Sequence, residues 1–346
     1  MSESFYHEYK KERKLSGKTL MKAVPIDIRW QEGLPVFASE SFLKAVSDEY
    51  GWLGGFDDSG QLLCILPFTI IKKLSFKFVR FRVETIPQVE NFSVDEEKAF
   101  LNSCLDFFRS KKAHVIIPAT TNSIFRTYPE GAIAAPYGTY IINLRQPEEV
   151  LWHNIERITR QNIKRAINLG VTVREAKEES QAAYELIRQT FKRSNLPFMS
   201  FGAFQKYMDG LGQHGLILKA EHQGLAQSYV VFAYSQYRAY AVYAGNSANM
   251  TPGANKLLYW EAIKLFKRLG VKDYDFVGVR INPEKGSKQD ALSSFKKHFG
   301  GQLVQGYIWK CSLNPVKYRL YNLAARIRSG GDIVDAEKHK MADLKS

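Results

Sequence analysis

The alternation of apolar and polar positions divides the chain into short strands and longer amphipathic helices. Residues 39–49 read as a helix, and 52–56 and 61–70 as an antiparallel pair around the turn-forming run Asp57-Asp58-Ser59-Gly60. A further strand is expected over 76–82. Asp95 is the expected cap of a helix reaching about Lys111, and 114–118 reads as a buried strand. Residues 127–140, rich in proline, glycine, tyrosine and small side chains, read as a loop near a domain junction. The second half repeats the order, with a strand over 171–175 and helices over 180–193 and 201–211. A meander follows over 216–221, 225–234 and 238–244.

The helical period is clearest after Thr251. Ala254, Leu257, Leu258, Ala262, Ile263, Leu265, Phe266 and Leu269 make one apolar stripe. Thr251 is the expected N-cap, Pro252 the first helical residue, and Gly270 the stop. A strand is expected over 273–277, ending at Gly278, then a polar loop, a short helix over 291–298 and Gly300-Gly301. A second helix is expected over 149–169. It would turn Trp152, Ile155, Ile158, Ile163, Ala166 and Ile167 to one side and a stripe of Arg157, Arg160 and Lys164 to the other, with Arg165 flanking. That basic face reads either as merely solvated or as a holder of phosphates.

The 346 residues suit two domains able to bury separate cores. The expected division is 1–145, including a charged N-terminal segment 1–22, then 146–328, then a polar tail 329–346 that frays. Nowhere does an apolar run approach the roughly 18 residues that span a bilayer, and the N-terminus is charged where a secretory signal would be apolar. The expectation is a cytoplasmic protein, with a peripheral contact to the anionic inner membrane left open. Cys64, Cys104 and Cys311 lie in apolar runs and read as core residues. The formal net charge of +14 favours anionic partners: tRNA, nucleotide-sugar diphosphates, lipid-linked pyrophosphates or a membrane leaflet. The seven histidines show no spacing for a base or a metal ligand, and no cofactor is expected.

Two stretches carry a family resemblance. The small-residue helix start Gly253-Ala254 is followed by G-x-x-x-Y-D-F-x-G (270–278) and F-K-x-x-F-G-G (295–301). Upstream, a basic helix precedes A-x-x-x-G-V (166–171). Together these resemble the Fem family, peptidyltransferases that add amino acids to the interpeptide bridge of peptidoglycan precursors. The element order of each half is also similar to that of a GNAT-type acyltransferase domain. The implied fold is α/β of the α+β type: two GNAT-like domains, each a mixed, largely antiparallel sheet flanked by helices.

The resemblance implies aminolysis of an activated ester, with aminoacyl-tRNA as donor and a peptidoglycan or other envelope precursor as acceptor. It sets Lys296 near the reacting centre, where a cation could meet the developing oxyanion; a plain surface lysine is the alternative. Asp275, inside an apolar strand, must have a buried cationic partner or face a cleft. Tyr243 either positions substrate or packs in the core. The helix-start residues Thr251, Gly253 and Ala254 could receive an anion on their amides or simply cap the helix. Compared with acyl-CoA-binding GNAT loops, Pro252 removes one donor and Asn249 replaces the usual Gln or Arg. The helical-hairpin arm of larger Fem proteins is not visible. Two other readings stay open: a GNAT enzyme using acyl-CoA or another acyl carrier on a polysaccharide or amino-sugar precursor, and a non-catalytic tandem GNAT binding module.

Overall fold

The structure, a computed structural model, describes residues 21–343. Most of the charged N-terminal segment expected over 1–22 therefore lies outside the described residues. Its strands are β1 (Lys22–Ile26), β2 (Glu49–Phe56), β3 (Leu62–Lys73), β4 (Phe76–Arg80), β5 (Ile86–Pro87), β6 (Val115–Ile116), β7 (Ile133–Asn143), β8 (Thr172–Glu175), β9 (Gly215–His222), β10 (Leu225–Tyr234), β11 (Ala239–Asn246), β12 (Asp273–Asp275) and β13 (Gln302–Ser312). They form one sheet in the order β1-β2-β3-β4-β6-β13-β7-β12-β11-β10-β9-β8, with β5 beside β3. Only β4–β6 and β11–β12 run parallel. The fold is mixed α/β with a large, mostly antiparallel sheet.

Each parallel pair is joined by a long helix, as a parallel connection requires. Between β4 and β6 runs α2 (Val94–Ser110), counting α1 as Glu40–Ala45. Its cap is Ser93, in a capping box with Glu96, and not the expected Asp95. Phe100, Cys104 and Phe108 of α2 pack on Leu66, Phe68, Val79 and Phe81 of the sheet. All three cysteines are buried and unpaired, as small core residues. The remaining helices are α3 (Glu148–Asn154), α4 (Arg157–Asn168), α5 (Ser180–Lys192), α6 (Phe201–Leu211), α7 (Ala254–Arg268), α8 (Lys288–Lys297), α9 (Pro315–Ser329) and α10 (Ile333–Asp343). Between β11 and β12 runs α7, which buries Leu258, Ile263 and Phe266 against Phe232 and Tyr274.

A third core joins the halves. Val36, Phe37, Phe42 and Trp52 from the first meet Tyr184, Phe204, Tyr207, Ile217 and Tyr240 from the second. Here α1 lies so close to α6 that a Cβ on Gly210 would fall 2.6 Å from that of Ala45. The last strand also stitches the halves: residues 302–310 of β13 pair with β7, while Cys311 and Ser312 pair with β6.

Three expectations are corrected. Residues 133–143 are the strand β7, not part of a loop. Pro136 is tolerated because β12 pairs only with 141–143, so its missing N–H faces an uncovered edge. The expected helix over 149–169 is broken at Ile155 and Glu156, both with extended ψ, into α3 and α4. The break changes the phase, so Ile158 and Ile167, expected inside, are exposed, while Ile155, Ile163 and Ala166 remain buried. The expected fraying tail carries α10: Asp332 Oδ1 accepts the Val334 and Asp335 amides, and Val334 is fully buried beside Tyr137 and Ile308.

Candidate active site at the junction of the halves

The site grows from the end of β12. Alternation along this short strand turns Asp275 inward, where its side chain is fully buried. Its Oδ1 accepts hydrogen bonds from Thr139 Oγ1 at 2.5 Å and from the Val277 amide at 2.7 Å. Its Oδ2 accepts one from Arg238 Nη1 at 3.3 Å. Arg238 Nη1 also lies 3.5 Å from Glu84 Oε1, so this guanidinium links a carboxylate of the first half to one of the second. Burial raises both acids against the pull of Arg238, Glu84 to about 7. Asp275 is thus the partnered alternative of its two sequence readings.

Beyond Asp275 the chain takes a conformation that ordinary residues avoid. Val277 has φ 45° and Gly278 φ 32°. Glycine is required at 278, because a Cβ would sit 2.9 Å from both Thr121 Cβ and the Tyr137 hydroxyl. Holding a β-branched residue in this region costs roughly 1–3 kcal/mol and persists only where the surroundings enforce it. Asp275 enforces it from the amide side. From the carbonyl side Lys296 Nζ donates to Val277 O, and to Gly278 O at 2.6 Å.

Lys296 is delivered by α8, capped by Ser287, whose Oγ accepts the Asp290 amide. Phe295 and Phe299, with ring centroids 5.2 Å apart, anchor α8 against Tyr259 and Phe276. The lysine between them is directed at the left-handed loop, while Lys297 stays exposed. Burial lowers the Lys296 ammonium to about 8, opposed by the charge of Asp275. Two of its three N–H donors are used, which leaves one for an incoming oxygen.

Tyr243 lies in a second group. Its ring packs edge-on to Phe198 and Tyr207, and burial raises its hydroxyl pKa while Arg80 and Arg82 oppose the rise. These arginines were not among the sequence candidates. They alternate at the end of β4 with Phe81, which is buried in the first core. Arg80 Nε donates to Pro118 O at 3.2 Å and Arg82 Nη2 to Val46 O at 3.1 Å. Among the described residues neither has a carboxylate within ion-pair distance, and Arg82 Nε is shut off from solvent with no partner. Burial, and then the charge of Arg80, lowers Arg82 to about 9. Two adjacent guanidiniums without a counter-charge suit an anion. The sequence signal was the R-x-R alternation of 80–82 around the apolar Phe81.

The two stretches that resemble the Fem family are packed together. The Glu156 amide, at the break between α3 and α4, donates to His298 O at 2.8 Å. Gly300, at φ 81°, presses on the Asn154 carbonyl, and Gly253, at φ 84°, on that of Asn162. Gly253, not Thr251, is therefore the N-cap of α7, without a side-chain bond, because the left-handed residue sets where the helix begins. The Thr251 amide is taken by Gln227 Oε1, its hydroxyl contacts His222 Nδ1, and the Ala254 amide bonds Thr251 O. Little of this loop is open to an anion.

Arg160 also departs from the expected stripe. Its Nη1 caps α3 by donating to His153 O at 2.7 Å and Ile155 O at 2.6 Å. Arg157, Lys164 and Arg165 stay exposed. A cavity of about 40 Å³ lined by Leu151, Asn154, Trp260 and Gly300 lies by this seam, large enough for water but not for an acyl group. Among the described residues no group of His, Cys, Asp and Glu could hold a metal ion.

Residues 130–223 match the model of the FemAB family, from just before β7 to just after β9. The structure of FemX superposes over 86% of this chain and 95% of that chain, with TM-score 0.63 and 14% identity. A conserved protein of unknown function from Bacteroides thetaiotaomicron is similar over 80% of this chain and 91% of its own, with TM-score 0.50 and 10% identity. A tandem GNAT protein from the clavulanic acid biosynthesis pathway aligns over 85% and 99%, with TM-score 0.48 and 11% identity. No curated protein matches the chain by sequence. Residues 130–223 are thus similar to the FemAB family, and the chain as a whole shares the fold of FemX.

Proposed function

We propose that the chain is an acyltransferase that forms an amide bond on a cell-envelope precursor, taking an amino acid from aminoacyl-tRNA and passing it to a peptidoglycan precursor. The observation that carries this reading is Lys296: a cation seated on a left-handed loop with one donor to spare. In the reaction a neutral amine of the acceptor attacks the ester carbonyl. The new C–N bond forms as the ester C–O bond breaks, and the released ribose hydroxyl ends with the proton the amine gives up. Lys296 donates to the oxyanion in between. Asp275 is a positioning residue that holds the Val277–Gly278 turn.

In this reading Arg80 and Arg82, with Tyr243, take the anionic part of the acceptor. Exposed Arg157, Lys164 and Arg165 face the tRNA backbone, and the enzyme works in the cytoplasm beside the inner membrane. The division at 145/146 into two GNAT-like domains belongs to the same reading, with β7 added to the sheet of the second. An acyl-CoA donor is disfavoured, because the Thr251 and Ala254 amides at the α7 start are already bonded and Gly253 packs against Asn162. The test is label transfer by purified protein to a precursor extract, from charged tRNA in one arm and acyl-CoA in the other. Transfer from tRNA is expected. Transfer from acyl-CoA alone overturns the donor assignment, and a folded protein that uses neither supports a binding module.

A further inference from the structure

Among the described residues, the outer face of α9 has no use in the fold or in the proposed reaction. Val316, Leu320, Leu323 and Ile327 recur at helical spacing and are 68%, 49%, 56% and 80% exposed. They make one apolar stripe along the helix. The helix contains no acidic residue. Lys317 and Arg328 stand on one shoulder of the stripe and Arg319 and Arg326 on the other, as the helical period requires.

The stripe cannot roll inward, because the opposite face is fixed. Tyr321 donates from its hydroxyl to Asp332 Oδ2 at 2.9 Å, and Asn322 Oδ1 accepts from the buried Lys310 Nζ at 3.1 Å. A second, distant segment extends the same surface. At the β3–β4 turn, Leu74 is 96% exposed and held at φ 53°. Lys317 joins turn and helix: its Nζ bonds Ser75 Oγ at 2.7 Å and lies 4.6 Å from the centre of the Phe76 ring.

We propose that α9 and the β3–β4 turn form an interfacial docking surface for a bilayer with anionic headgroups. The apolar stripe and Leu74 would enter the headgroup boundary, and the cations on both shoulders would meet lipid phosphates. Charge complementarity selects this occupant. A second copy laid on the stripe would bring Arg319, Arg326 and Arg328 against their own kind with no acid on the helix to offset them. This surface gives the membrane contact of the proposed function a location, but its test reads binding without turnover. It can therefore fail while the acyltransferase reading stands.

The full chain is sedimented with vesicles of phosphatidylcholine containing phosphatidylglycerol, and with vesicles of phosphatidylcholine alone. Binding is expected to the anionic vesicles and to weaken with salt. Leu323→Ser with Ile327→Ser should weaken it by roughly tenfold or more, since both the stripe and the charges are needed. Arg319→Gln with Arg326→Gln should weaken it and flatten its salt dependence. All four positions are exposed, so melting temperatures should stay near that of the parent. The proposal is overturned if the full chain ignores anionic vesicles at low salt. Equal binding by the stripe variants overturns it too, as does a solution dimer that those variants dissociate.

Discussion

Replacing Lys296 by methionine separates chemistry from architecture, because the two energies that lysine brings to the fold offset each other. Lowering its pKa from 10.5 to about 8 means that keeping the ammonium there costs roughly 3 kcal/mol. Its bonds to the Val277 and Gly278 carbonyls return roughly 1.5 kcal/mol each. Lys296→Met keeps most of the apolar stem, so its stability should lie within about 1 kcal/mol of the parent. Losing a donor to the oxyanion should nevertheless lower turnover by roughly a hundred- to a thousandfold. The assay is single-turnover aminoacyl transfer beside thermal melting, with exposed Lys297→Met as control. The ammonium is lost as pH rises through about 8, so activity should fall on that alkaline side. Lys296→Arg, which stays charged, should remove the fall where it retains activity. Comparable activity in the Met variants at 296 and 297 would refute the role. Collapse of activity together with a large loss of melting temperature would reduce the lysine to a brace for the loop.

Two further outcomes follow from the same geometry. Arg157→Gln with Lys164→Gln should weaken tRNA binding and flatten its salt dependence without moving the melting temperature, whereas Arg160→Gln should lower the unfolding free energy by about 1–2 kcal/mol, because the α3 carbonyls lose their donor. Glu84 is raised by burial to about 7 from 4.5, so the folded state holds its proton more tightly than the unfolded. The stability this gives is present below pH 4.5 and lost as pH rises through about 7; denaturant titrations across that window should show a decline that Glu84→Gln flattens.

How much of this was legible depended on whether the signal was local. The bounds of α6 and the meander β9–β10–β11 follow from local pattern alone: α6 shows one apolar face to one core, and the meander strands are short apolar runs that bury alternate residues in two cores, bounded by polar turns. The strand β7 did not, because Pro136 and Gly138 argue against a strand that exists only by pairing with β13 and β12, far away in the chain. The expectation carried nothing for β13, which belongs to both halves. The exposed stripe of α9 was hidden because its inward face carries Tyr318, Tyr321 and Ala325, so the helix is apolar on opposite sides and shows no single polar face. The motif G-x-x-x-Y-D-F-x-G placed Asp275 in a strand, but that strand was expected to run to Val277, where the chain instead turns left-handed; F-K-x-x-F-G-G placed Lys296 on a short helix. Neither could name Arg238 or Glu84, which reach the site from other elements.

A comparison within the chain shows why Lys296, and not any buried cation, is the residue to test. Lys310 is buried as well, but its Nζ sits 2.9 Å from Asp332 and 2.7 Å from Asp335, with Asn322 as a third acceptor. Burial disfavours its charge, yet the bonds to those carboxylates prevail and raise its pKa. Every donor is matched, and the effect is to tie β13 to α9 and α10. Lys296 has no carboxylate within ion-pair distance among the described residues; it rests on neutral carbonyls, and burial prevails. A fold gains little from a cation so placed, since an apolar side chain would fill the same space without the desolvation cost. What it gains is a positive charge with a donor in reserve, less solvated than in water and so more responsive to charge that appears beside it. The fully paired lysine is explained by the architecture alone, whereas the partly paired one keeps a donor that, in the proposed reaction, a substrate oxygen would take.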